Sequence, residues 1–388
     1  MSYLKNPGPK YTVAFAKELQ NRKDAKLEQA KKDGVELVYS YENTLEDIRG
    51  IRKGGEDTAK ESLEEQERKG FFKIDEKEFP RSSPRTGDIK VTIISPPPNP
   101  AIKDAERPCI IFLHGGAFAG SSRHVGPHMN AKRWVKELSA VIFSVEYERT
   151  PDASGDDLAR DCYEAMLWVW NNSGYEFDTR KVILYGASAG GTLACGAAFM
   201  NIDSEDSNKP ELCGLYLEAA PLNPRCDSES MKRLDEPCPY LNLKECEGMW
   251  KPIILPEKNE EGKDDKEGKG GKEGIKYHKY IAPIDATDEE IAQLPPIAAD
   301  VGDMDPTCAD LISFMRRYGM PDLPDGTDTE IVVRFKNKER KDCEFRLVKG
   351  APHGYWAILP EEKVSKDFQD NRVRWMKKRF AAAEKQEA

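Results

Sequence analysis

This chain of 388 residues has only five histidines, no excess of basic charge and no long apolar run. Each scarcity excludes something. Formal charge is −10 from 59 basic and 69 acidic residues. Nucleic acid therefore finds no broad positive surface, and anionic membranes are poor partners as well. No apolar stretch approaches the ~20 residues that cross a bilayer. Residues Met1-Ser2-Tyr3-Leu4-Lys5-Asn6-Pro7 lack the apolar segment of a secretory leader, so no export signal is read there. The nine cysteines are odd in number and contain no C-x-x-C pair, which disfavours a disulfide frame or zinc site. They are expected as free thiols in a reducing, cytoplasmic setting.

What is present begins with a strand-turn-helix signal. Lys181-Val182-Ile183-Leu184-Tyr185 is an apolar run of strand length, and Gly191-Thr192-Leu193-Ala194-Cys195-Gly196-Ala197 opens a small-residue helix. Between them lies Gly186-Ala187-Ser188-Ala189-Gly190, a G-x-S-x-G turn that lifts a serine hydroxyl clear of a sheet. A second apolar run, Cys109-Ile110-Ile111-Phe112-Leu113, ends in His114-Gly115-Gly116-Ala117-Phe118. Acyl transfer needs backbone N–H groups aimed at the developing oxyanion, and Gly115, Gly116 and Ala189 are the expected donors.

The serine needs a base, and the chain order Ser–acid–His leaves His278 and His353. His278 follows a charged stretch with no strand before it. His353 follows Cys343-Glu344-Phe345-Arg346-Leu347-Val348, a plausible strand, and is the expected base. The orienting acid should lie between serine and histidine. Pro296-Ile297-Ala298-Ala299 leads into Asp303-Met304-Asp305-Pro306, where the proline biases Asp305 toward extended backbone at a loop start. Asp305 is the expected acid and Asp303 the alternative.

These blocks together resemble the hormone-sensitive-lipase-like carboxylesterase family of α/β-hydrolases, over most of residues 80–380. The resemblance implies a mostly parallel central sheet with helices on both faces and a helical cap. It maps the family's serine, acid and histidine onto Ser188, Asp305 and His353, and its oxyanion donors onto Gly115, Gly116 and Ala189. It implies a small-molecule ester with a short to medium acyl chain, no metal or organic cofactor, and a possible homodimer. The chain departs from the family pattern at Ala117, Ala187 and Thr307, and carries extra residues around 321–342. An amidase or peptidase using the same triad, or a non-catalytic ligand receptor, stays open.

The remaining chain divides by composition. Residues 1–80 are expected to be a helical segment of the cap, or else a helical arm for a partner. Residues 81–221 and 281–388 read as two parts of the α/β core, with an amphipathic helix over 157–171 whose Trp168 and Trp170 are core packing. Residues 222–280 read as the second cap segment, with Tyr240, Met249 and Trp250 as candidate pocket residues beside Ala117 and Phe118. Within it, residues 257–274 carry no apolar side chain and are expected to stay solvated and flexible.

Overall fold

The computed structural model describes residues 11–33, 45–99, 101–172, 174–234, 241–254, 277–324, 329–339 and 341–385. Among these, the strands are β1 (Lys73–Pro80), β2 (Asp88–Ser95), β3 (Cys109–Leu113), β4 (Val141–Glu146), β5 (Val182–Ala187), β6 (Leu212–Glu218), β7 (Ile297–Met304), β8 (Glu330–Lys336) and β9 (Asp342–Pro352). They form one sheet in the order β1-β2-β4-β3-β5-β6-β7-β9-β8. The run from β4 to β9 is parallel, and β1, β2 and β8 add antiparallel pairings at the two edges.

The apolar runs become strands because both of their faces are covered. With a side-chain period of two, Ile110, Phe112, Ile183 and Tyr185 face the helices Pro127–Leu138 and Lys363–Glu384, through Trp134 and Met376. Ile111, Leu113, Val182 and Leu184 face the helices Asp157–Asn172 and Ala189–Asp203, through Met166 and Leu193. A polar substitution on either face would strand an unpaired group in the core.

Two strands depart from expectation. Residues 73–80, expected within the helical N-terminal segment, instead form β1, where Phe79 stacks on Trp168 with centroids 4.9 Å apart. The extra residues around 321–342 contain β8, which pairs antiparallel with β9. Its short apolar content, Ile331, Val332, Val333 and Phe335 among charges, is a weak strand signal on its own.

The order of the sheet positions the site. The strands β4 and β5 flank β3 on opposite sides, so the chain reverses its winding direction there and leaves a crevice beyond the carboxyl ends. The N-terminal helix Val13–Asp33 reaches this end of the sheet from outside. Just ahead of it the Thr12 amide donates to the Gly350 carbonyl at 3.0 Å, and Arg22 Nη2 donates to the Ile358 carbonyl at 3.1 Å. Phe15 meets Tyr355 edge-on, 6.3 Å between centroids.

Candidate active site

Ser188 stands between β5 and the helix Ala189–Asp203 with φ +51°, a region that non-glycine residues seldom occupy. The turn is forced by crowding. A Cβ on Gly190 would lie 2.2 Å from the Leu113 carbonyl oxygen, so only glycine lets the helix start pass under β3. The Ser188 amide donates to the Glu218 carbonyl at 2.7 Å, tying the turn to the end of β6.

Ser188 Oγ lies 2.8 Å from His353 Nε2. His353 Nδ1 donates to Asp305 Oδ2 at 2.7 Å. The other carboxylate oxygen, Oδ1, accepts from the Thr307 amide at 2.9 Å and from its hydroxyl at 2.8 Å. Thr307, a departure from the family pattern, thus supplies an extra donor that holds the acid in one rotamer. Strands β7 and β9 approach so closely at Gly302 that a Cβ there would sit 1.9 Å from the Ala351 carbonyl oxygen. That contact brings the loops bearing Asp305 and His353 side by side.

Asp303, the alternative acid, is used elsewhere. Its Oδ1 accepts the Gly350 amide at 2.6 Å, and its own carbonyl accepts from Arg233 Nη2 at 2.8 Å. It anchors the backbone three residues before His353. His278 packs edge-on against Tyr280, centroids 4.1 Å apart.

Electrostatics suit a histidine that must take up a proton. Burial of the His353 ring works against protonation, but the Asp305 charge, its hydrogen bond and the Glu218 charge prevail and hold the imidazole above its ordinary value. His114 is the opposite case: burial pulls it down to about 4, so it is neutral. Its Nδ1 donates to the Gly115 carbonyl at 2.7 Å, and its ring stacks on Tyr147 at 4.3 Å. These contacts fix the turn Gly115–Phe118, in which Gly116, Ala117 and Phe118 all have positive φ. A Cβ on Gly115 would lie 3.1 Å from that of Ser188, so the turn abuts the serine. The Ala189 amide opens the helix, where N–H groups have no intrahelical partner.

A cavity of about 450 Å³ opens over Ser188, Gly115, Gly116 and His353. Its apolar walls include Phe112, Val125, Met129, Leu241, Met249 and Trp356. Of the sequence candidates, Ala117 and Met249 line it. Phe118 and Trp250 do not: both are buried and pack on each other, ring centroids 4.8 Å apart, as support beneath the wall. Apolar side chains cannot be sorted into wall and support from their type alone. Tyr240 and residues 257–274 lie outside the described residues. Met249 arrives on the helix Leu243–Trp250, whose start is fixed by a reciprocal cap between Asn242 and Glu245. A larger cleft, about 630 Å³, lies at the opposite strand ends near Leu212, Cys213 and Asp342, far from the serine.

Sequence reasoning missed Glu218 and Trp356, and marked Thr307 as a departure without its contact to Asp305. The signal for Glu218 was a lone acid closing the apolar run Leu212–Leu217, since a charge at a buried strand end is rare without partners.

A family model described as the alpha/beta hydrolase fold matches residues 110–321. The chain belongs to the α/β-hydrolase family. Human hormone-sensitive lipase is 34% identical over 98 residues, 25% of this chain and 9% of that one. The gibberellin receptor GID1 of rice, Oryza sativa subsp. japonica, is 32% identical over 155 residues, 39% of this chain and 42% of the receptor. The α/β-hydrolase chain thus spans less than half the length of either curated relative. A solved hyperthermophilic esterase from the archaeon Pyrobaculum calidifontis superposes with a TM-score of 0.67 at 16% identity, covering 96% of this chain and 99% of that one, a likeness of fold.

Proposed function

We propose that this α/β-hydrolase cleaves carboxylic esters through an acyl-enzyme on Ser188. The observation that carries the reading is the unbroken hydrogen-bond chain Ser188–His353–Asp305, at 2.8 and 2.7 Å. His353 takes the Ser188 proton as Oγ bonds to the ester carbonyl carbon. The carbonyl oxygen gains the negative charge and is met by the Gly115, Gly116 and Ala189 amides. His353 then passes that proton to the leaving alcohol, activates a water, and the acid departs with the serine restored. Asp305 holds the imidazole in the tautomer with Nδ1 protonated and stabilises the imidazolium.

The apolar cavity supports acyl chains of short to medium length. The same reading assigns the helices Val13–Asp33, Leu45–Arg68 and Leu243–Trp250 to a cap over it. Labelling by a fluorophosphonate probe, followed by turnover of p-nitrophenyl esters from acetate to decanoate, tests the assignment. Labelling at Ser188 and a rate maximum below decanoate are expected; an unlabelled, inactive protein would refute it. The similarity to a hormone receptor favours a second reading, ligand binding without turnover. The same probe separates the two, because a receptor lacking an activated serine stays unmodified.

The elevated His353 imidazole sets the pH dependence. The base works only when neutral, so kcat/KM should rise with pH along an acidic limb whose midpoint lies above the ordinary imidazole value of ~6.5. A midpoint at or below that value, measured on the free enzyme with a substrate that does not titrate, would contradict the Asp305 and Glu218 contributions.

A further inference from the structure

Glu218 is buried at the end of β6 and borders the cavity beside Ser188 and Trp356. Three of its polar contacts run to both halves of the site. Its backbone carbonyl accepts the Ser188 amide. Its Oε2 accepts the hydroxyl of Tyr185, which sits on β5 three residues before Ser188. Its Oε1 accepts Trp356 Nε1–H, from the turn three residues after His353. One side chain therefore bridges the segment that carries the nucleophile and the segment that carries the base.

We propose that Glu218 is a positioning residue of the hydrolytic reaction: its carboxylate links the Ser188 and His353 segments and helps to stabilise the imidazolium. The proposal rests on the esterase reading. No bond to substrate is assigned to Glu218, because both of its oxygens are already occupied by donors.

The charges around it are consistent with this role. Arg372, from the helix Lys363–Glu384, stands 3.9 Å from Oε2 and donates to the Tyr185 hydroxyl at 3.0 Å. Tyr185 stacks on Tyr216 of β6, centroids 4.7 Å apart. Asp300, the register partner of Glu218 on β7, is itself paired with Arg346 and Tyr355. Burial pushes the Glu218 carboxyl up, against the pull of Arg372, Tyr185 and Trp356. His353 hydrogen-bonds Ser188 and Asp305, and the Glu218 charge also favours its protonated form. A buried carboxylate held by two donors, Tyr185 and Trp356, favours a nearby cation, and the imidazolium is the cation that forms during turnover.

The test compares wild type with Glu218→Gln, which keeps the shape and one acceptor but removes the charge. Following the His353 ring by NMR, its titration midpoint should fall by about half a pH unit. The acidic limb of kcat/KM should move down by the same amount, with kcat several-fold lower. Glu218→Asp, which keeps the charge, should return the midpoint toward wild type. A His353 midpoint unchanged in the Gln variant, with melting temperature retained, would overturn the proposal. Should the Gln variant fail to fold, Trp356→Phe breaks the same bridge from the other side. Turnover must then fall while the His353 midpoint stays in place; unaltered turnover overturns the bridge. The NMR midpoint needs no turnover, so its failure is told apart from failure of the esterase reading, which the fluorophosphonate probe reports separately.

Discussion

Replacing Ser188 with alanine should lower ester turnover by at least ~10⁴-fold with little change in melting temperature. The expected loss is large because the Ser188 hydroxyl is the group bonded to the base. It lines the cavity together with Gly115 and Gly116. The expected stability change is small because alanine keeps the Cβ that the turn already accommodates. The backbone tie from the Ser188 amide to Glu218 does not involve the side chain. Steady-state kinetics on a p-nitrophenyl ester, with a thermal melt beside it, reads both. Turnover within ten-fold of wild type would mean that another group attacks the ester.

The second large effect separates two aspartates that lie two residues apart. Asp305→Asn should reduce kcat by roughly 10⁴-fold, because an amide facing Nδ1 can present its own N–H and select the wrong imidazole tautomer. Asp305 is the partner of Nδ1 among the described residues, and the other bonds to its side chain come from Thr307 and fix the carboxylate. Asp303→Asn should cost less than ten-fold, since an amide oxygen can still accept the Gly350 amide that Asp303 now binds. Equal losses in the two variants would remove the distinction between orienting acid and loop anchor.

Much of this site was legible from sequence, for a physical reason. The turn around Ser188 and the glycine turn after β3 demand backbone that only certain residues tolerate, so their composition advertises them. Scarcity did the rest for His353, one of five histidines and one of two in the right chain order. The acid was harder. Asp303 and Asp305 have the same chemistry, and only the approach of β7 to β9 at Gly302 decides which one meets the ring. The cavity wall was harder still. Phe118, Met249 and Trp250 are all large and buried, and only coordinates separate Met249 on the wall from the other two beneath it. Strand β1 escaped notice because Lys73–Pro80 has charges at alternate and adjacent positions, and its pairing with β2 overrides a weak local preference.

The contacts made by Thr12, Phe15 and Arg22 bear on any attempt to trim this protein. They grip Gly350, Tyr355 and Ile358, on both sides of the imidazole. The segment matched by the family model, residues 110–321, contains neither these clamps nor His353 itself. A minimal hydrolase cut to those limits would keep Ser188 and lose His353, and one shortened only at the front would leave that imidazole without these clamps.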